Sequence, residues 1–312
     1  MKNLKTIDLF AGIGGIRIAF EKAGFHTVFA NDFEPKCATT YNLNFSKPKL
    51  FVGDIRQVKK IPNFDFLLGG FPCQPFSVAG NRKGFDDERG TLFYEIAMIL
   101  EENRPVGFFL ENVKNLQGHD FGKTFKHILK KLDVLGYDVK YAVLNSMHFG
   151  NLPQNRERIY IVGFLKDTKL INKFEFPRPL RLKRDINSIL EKDVDDLHYY
   201  NGKPLFEKIG KFPFKKNTIY QWRRKYIREN KNGVSPTLTA NMGTGGHNVA
   251  IIMDEKGIRK LTPRECANLQ GFPKNFILPN NLASSHLYKQ IGNSVSVTVV
   301  YRIAKNIMSV VG

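Results

Sequence analysis

The stretch GGFPCQPFSVAG, Gly69 to Gly80, sets Cys73 between Pro72 and Gln74, with Pro75 next and glycines at both ends. Prolines remove backbone donors and fix φ, which suits a presented loop better than the helix or strand interior where a structural cysteine fills space. A displayed thiol does its chemistry as a thiolate nucleophile; a tight turn with an incidental cysteine is the plainer alternative. Two further sets of groups could serve such a nucleophile. Glu111 ends the apolar run VGFFLEN, where it reads as a proton-sharing acid or as an ordinary strand-end carboxylate. Arg156 and Arg158 in QNRERIY, one residue apart, are expected on one face of a strand, as a pair aimed at a substrate or as surface cations.

A second constellation lies upstream. In DLFAGIGGIRIAF, glycines 12, 14 and 15 fall between a strand-like run and a helix-like run, and let the backbone approach a ligand closely. A dinucleotide fingerprint wants glycine at position 17, where this chain has Arg17, so NAD is disfavoured. About 20 residues downstream the next apolar run ends at Asn31 and Asp32, where a carboxylate can accept both hydroxyls of a ribose. Phe33 follows and suits stacking on an adenine face; Asp54, in GDI, suits accepting from an adenine amino group. Each alone reads equally as a turn or capping residue, but their recurrence at successive strand ends favours an adenosine-type cofactor.

The elements that must position these groups show two textures. From Leu4 to about Leu165, short apolar runs such as KTIDLF, HTVFAND, FDFLLGG and RIYIVGF alternate with helical patterns such as TLFYEIAMILEEN and TFKHILKKLDVLG. That alternation predicts a parallel sheet covered by helices, an α/β domain. From about Asp167 to Lys260 the periodicity weakens, which predicts a smaller, irregular, basic domain. The C-terminal SVSVTVVYRIAKNIMSVV reads as a helix with an apolar face.

With 312 residues, 42% of them apolar, the chain has material for one large and one small domain. Its formal charge of +19 favours a polyanionic partner such as nucleic acid, although a generally basic protein would show it too. Three cysteines, Cys37, Cys73 and Cys266, supply neither a disulfide framework nor a zinc-type CxxC pair, so a reducing cytoplasm is the expected location. Asp8 interrupts the first apolar run, against a signal peptide. No apolar stretch is expected to reach the ~18 residues of a membrane helix.

DLFAGIGG, the Asp32–Phe33 pair, GDI, GGFPCQPFS, RGTLF, LENV, QNRERIYIVGF, RKLTPRECANLQGFP and YKQIGNSV occur in the order seen in cytosine-C5 DNA methyltransferases, and the chain resembles that family along nearly its whole length, apart from roughly Asp167 to Asn232. The resemblance implies a Rossmann-like domain that uses S-adenosylmethionine, leaves S-adenosylhomocysteine and needs no metal. It implies residues 1–178 as catalytic domain, 179–285 as an inserted target-recognition domain with its hinge, 286–312 as a segment returning to the first domain, and DNA in the cleft. Cys73 then resembles the nucleophile that adds to cytosine C6, Glu111 the acid at N3, Asn112 an orienting residue, Arg158 the contact to O2, and Arg156 a support for the same pocket. Phe10, Gly12, Gly14, Gly15, Asp32, Phe33, Asp54, Ile55, Pro72, Leu92, Asn293 and Ser294 are the implied cofactor contacts. Val78 to Gly90 resembles a lid over a flipped base. Thr239, Asn241, Thr244 and His247, in the glycine-bearing stretch Thr237 to Asn248, are candidates for contacting DNA. Double-stranded DNA is the implied partner, a cognate restriction endonuclease the genetic one, and a monomer the expected state. A tRNA cytosine-C5 methyltransferase and a non-catalytic DNA-binding relative are the competing classes.

Overall fold

The computed structural model describes residues 3–71, 92–223, 225–242 and 249–312. Cys73, Pro72, the lid candidate 78–90, Thr244 and His247 lie outside them. The described residues form two compact units: 1–144, 157–177 and 300–312 make up the first, 145–156 and 178–299 the second. The segment 145–156, expected in the catalytic domain, therefore groups with the second unit, and the chain returns to the first at Val300 rather than at 286.

The first unit is built on a seven-stranded sheet. Its strands are β1 (Lys5–Leu9), β2 (His26–Asp32), β3 (Phe51–Val52), β4 (Phe66–Gly70), β5 (Gly107–Val113), β6 (Tyr137–Asn145) and β8 (Glu157–Leu165), in the spatial order β3-β2-β1-β4-β5-β8-β6. The pairs from β3 to β5 are parallel, and β8 runs antiparallel to β5. Both faces are covered, as a parallel sheet requires. Alternate residues Ile7 and Leu9 of β1 and Phe108 and Leu110 of β5 join one core with Phe93, Ile96 and Leu100 of α3 (Leu92–Asn103) and Phe125, Ile128 and Leu132 of α4 (Lys123–Val134). On the opposite face Phe20 of α1 (Gly15–Lys22) sits 6.2 Å from Phe66 and 5.2 Å from Phe109, ring centre to ring centre. Full burial of a ring such as Phe20 stabilises by roughly 1.5–3 kcal/mol. The shared family expectation of a Rossmann-like α/β domain is met. Helix α2 (Pro35–Asn44) follows β2.

The second unit opens with α5 (Ser146–Gly150) and a two-residue strand β7 (Gln154–Asn155), which pairs in parallel with β11 (Ser235–Pro236). A four-stranded antiparallel sheet joins β10 (Ile227–Glu229), β9 (Tyr220–Trp222), β12 (Val249–Met253) and β13 (Ile258–Lys260) in that order. A small core gathers Ile209 of α6 (Pro204–Ile209) with Phe214, Tyr220, Ile251 and Ile258. Beyond β13, α7 (Pro263–Leu269) begins with a full capping box between Thr262 and Glu265. The Glu265 carboxylate, fully buried, also pairs at 2.8 Å with the buried Arg259 guanidinium. Helices α8 (Ser284–Asn293) and α9 (Val297–Val311) complete the chain. By length and composition alone Ser284–Val311 would be long and apolar enough to cross a membrane. The helix is interrupted at residues 294–296, and α9 buries Val299, Val300, Ile303, Ala304 and Ile307 against protein.

Candidate active site

The turn after β1 is shaped by unusual backbone. Phe10, Gly12 and Gly14 all have positive φ, at 55°, 55° and 85°. A Cβ on Gly14 would sit 2.3 Å from the Phe45 ring, so the helix can start there only with glycine, whereas a Cβ on Gly12 would meet nothing within 4 Å. One glycine thus serves packing and the other leaves an open approach. Gly15 begins α1 and is buried. The turn is pinned to the end of β2: Ala11 N–H donates to the Asn31 carbonyl at 2.9 Å, and Gly12 N–H donates to Asp32 Oδ2 at 2.8 Å. Asp32 Oδ1 accepts from Glu34 N–H at 2.8 Å. Burial pushes the Asp32 carboxyl up, against the pull of these backbone donors.

Phe33 is 75% exposed, an aromatic face presented beside that carboxylate. Asp54 caps a short 3-10 turn, and its carboxylate is gripped by the Arg56 guanidinium, which holds it below the usual carboxylate range. The adenine-directed role expected of Asp54 would share that carboxylate with Arg56. Ile55 is buried in the core with Ile7 and Leu9, and Leu92 is the half-buried first residue of α3. The open side of Gly12, the Asp32 carboxylate and the exposed Phe33 ring fit an adenosine-bearing group. At position 17, where a dinucleotide fingerprint would have glycine, the buried Arg17 donates to Tyr41 Oη, Pro48 O and Lys47 O and pairs with Glu21 at 2.7 Å. It clamps α1 to the chain after α2.

In the sequence Asp8, two residues before the positive-φ Phe10, reads only as an interruption of the first apolar run. It is completely buried on β1, and burial pushes its pKa up to about 8 against the pull of Arg17. Its odd placement among apolar residues in KTIDLF was the available signal.

Glu111 and Arg158 are brought together by strand register. On the β5–β8 ladder Glu111 faces Tyr160 and Val113 faces Arg158, so Arg158 lies diagonal to Glu111. Arg158 Nε is 3.2 Å from Glu111 Oε1, with only 14% and 10% of the two side chains exposed. Asn112 points the other way and donates to the Phe71 carbonyl at 2.9 Å, which ties β5 to the peptide two residues before Cys73. The pair is a carboxylate held by a guanidinium at the end of a rigid sheet, suited to gripping a planar polar ring.

For Arg156 the expected strand face is not found. The strand breaks at residue 156, so Arg156 and Arg158 do not share a strand face, and Arg156 belongs to the second unit. It is 1% exposed and donates to the carbonyls of Leu238 (2.9 Å), Gly292 (3.2 Å) and Ser294 (2.7 Å). Two buried glutamines that the sequence reading left out, Gln154 and Gln270, belong to the same cluster; their positions inside QNRER and ANLQGF were the signal. Thr239 Oγ1 donates to Asn241 Oδ1 at 2.8 Å, and Asn241 is exposed. Asn293, exposed, ends α8, and Ser294 follows it.

A family model described as C-5 cytosine-specific DNA methylase matches residues 4–309. The type II methyltransferase M.Bsp6I of Bacillus sp. (strain RFL6) is 54% identical over 97% of this chain and 98% of its own length. M.HaeII of Haemophilus aegyptius, another type II methyltransferase, is 43% identical over 99% and 94%. Among solved structures, a DNMT2 variant from Spodoptera frugiperda superposes with a TM-score of 0.76 at 23% identity, covering 97% of this chain and 99% of that one. A putative DNA modification methyltransferase from an Escherichia coli prophage gives 0.76 at 20%, over 99% of both chains. At those identities the two structures bear on the fold.

Proposed function

This chain belongs to the C-5 cytosine-specific DNA methylases, and we propose that it methylates C5 of a flipped-out cytosine within a specific duplex DNA sequence, through covalent attack by Cys73, and protects host DNA within a restriction-modification system. The observation that carries this reading is the Glu111–Arg158 pair: two poorly exposed, oppositely charged groups fixed at the end of the sheet.

S-adenosylmethionine, the donor that the family implies, supplies an electrophilic methyl carbon. Asp32 would accept from its ribose and Phe33 would cover its adenine, over the open side of Gly12. Cytosine C5 is a weak nucleophile until a thiolate adds at C6. Cys73 forms that bond, the electron pair of the C5–C6 double bond moves towards C5, and the ring nitrogen N3 becomes more basic. Glu111 holds a proton against N3, and Arg158 donates to O2 while fixing the Glu111 carboxylate. Methyl transfer to C5 would release S-adenosylhomocysteine, and loss of the C5 proton to water then re-forms the C5–C6 double bond as the C6–S bond breaks and the Cys73 thiolate leaves. A stacked base cannot reach such a site, so the cytosine must leave the helix. Thr239 and Asn241, with Thr244 and His247, are assigned to DNA contact.

Bisulfite sequencing of DNA from cells expressing the chain tests the proposal. Protected cytosines in one recurring sequence context are expected; complete conversion of all cytosines, or transfer of label to tRNA but not to duplex DNA, contradicts it.

A further inference from the structure

A buried polar cluster in the second unit is unexplained by the chemistry above. Gln154, Arg156, Gln270, Ser146 and Ser296 are each at most 1% exposed. Leu238 is held at both of its backbone groups by two of them: its N–H donates to Gln154 Oε1 at 3.1 Å, and its carbonyl accepts from Arg156 at 2.9 Å. The same guanidinium reaches the Gly292 and Ser294 carbonyls, and Gln270 Nε2 donates to the Ile291 carbonyl at 3.0 Å. Gln154 Nε2 in turn donates to the Leu269 carbonyl at 3.0 Å. Packing repeats the tie. A Cβ on Gly292 would lie 2.4 Å from the carbonyl carbon of Thr239 and 2.7 Å from the nitrogen of Ala240, so α8 ends pressed against this backbone.

We propose that Arg156 is a positioning residue for target reading: it locks the backbone at Leu238 onto the end of α8 at Gly292 and Ser294 and thereby fixes where Thr239 and Asn241 meet DNA. This rests on the function proposed above. The physical ground is that a planar guanidinium with five donors bridges several carbonyls at once, which the compact lysine ammonium does not reproduce. Cutting that bridge leaves buried carbonyls undersupplied and lets the Leu238–Asn241 backbone shift, while Glu111 and Arg158, on the other unit, keep their contact. Displacements of about an ångström at a contact residue blur base discrimination more than they slow a reaction whose groups are still in place.

The test is Arg156→Lys, with Gly292→Ala as a second arm that adds a clash without removing a hydrogen bond. Initial rates are measured on the cognate duplex and on duplexes changed at one base of the site, with thermal unfolding as the check of folding. KM for cognate DNA is expected to rise about tenfold, more than kcat falls, and the preference for cognate over altered sites to drop about tenfold. In a Thr239→Ala, Asn241→Ala background, Arg156→Lys is expected to add little to that loss. A hundredfold fall in kcat with discrimination intact would return Arg156 to the base pocket and overturn the inference. So would unchanged discrimination in either folded variant, or failure of both to fold. Absence of DNA methylation by the unaltered chain would instead sink the proposed function.

Discussion

Arg158 Nε lies 3.2 Å from Glu111 Oε1 because β8 runs antiparallel to β5 in a register that makes the two residues diagonal neighbours. The contact makes Glu111→Gln an informative variant. The amide keeps the size of the side chain and cannot exchange a proton with N3. We expect kcat to fall roughly a hundredfold or more, with affinity for cognate duplex within a few-fold of the unaltered enzyme. Single-turnover methylation and equilibrium DNA binding check this; full turnover by the variant would remove Glu111 from acid chemistry.

Asp32 has a double duty, since it shapes the turn it is proposed to serve. Asp32→Ala removes the acceptor of both Gly12 and Glu34 N–H groups, each bond contributing about 1 kcal/mol. S-adenosylmethionine affinity should drop tenfold or more, while affinity for duplex DNA holds. Titration calorimetry with the cofactor and its demethylated product reads the effect. Equal cofactor affinity in the variant would contradict the assignment.

Asp8 predicts a pH dependence of stability. Arg17 lowers its pKa, and Asp32 and Glu21 raise it, but burial dominates and carries the value from 3.8 to about 8. In the unfolded chain the proton leaves near pH 4; in the folded chain it stays until about pH 8. The folded state binds the extra proton throughout that window, so this group makes stability fall as pH rises from 4 to 8, by at most ~1.4 kcal/mol per pH unit. Asp8→Asn does not titrate. Urea unfolding at pH 5 and pH 8 should show a larger loss for the unaltered chain than for the variant; parallel losses would place the titration elsewhere.

The sequence was most informative where function and local geometry coincide. The strand–turn–helix around Gly12 and Gly14 and the acidic end of β2 were readable because glycine spacing and a carboxylate after an apolar run are local signals. The Arg56 side chain, two residues on, donates to the Asp54 carboxylate, a contact that the GDI motif alone does not announce. Arg156 was misplaced because i and i+2 share a face only if the strand is continuous, and here it breaks; the true partners lie 82 to 138 residues away. The unit boundaries at 145–156 and 299/300 were hidden for the same reason. The small antiparallel sheet leaves no mark in the sequence because β9, β10 and β13 have three residues each, too few for a periodicity.

Covalent catalysis by Cys73 is tested with a duplex that carries 5-fluorocytosine at the target position. After addition at C6 and methyl transfer, fluorine at C5 cannot leave as a proton does, so protein and DNA should stay joined. Cys37 and Cys266 are internal controls: both are buried, and burial pushes the Cys266 thiol well above its ordinary value. Mass spectrometry of the nuclease- and protease-digested adduct should place the modified cytosine on Cys73, and Cys73→Ser should lose both adduct and nearly all methylation. Attachment at Cys37 or Cys266, or robust turnover by Cys73→Ser, would contradict the account.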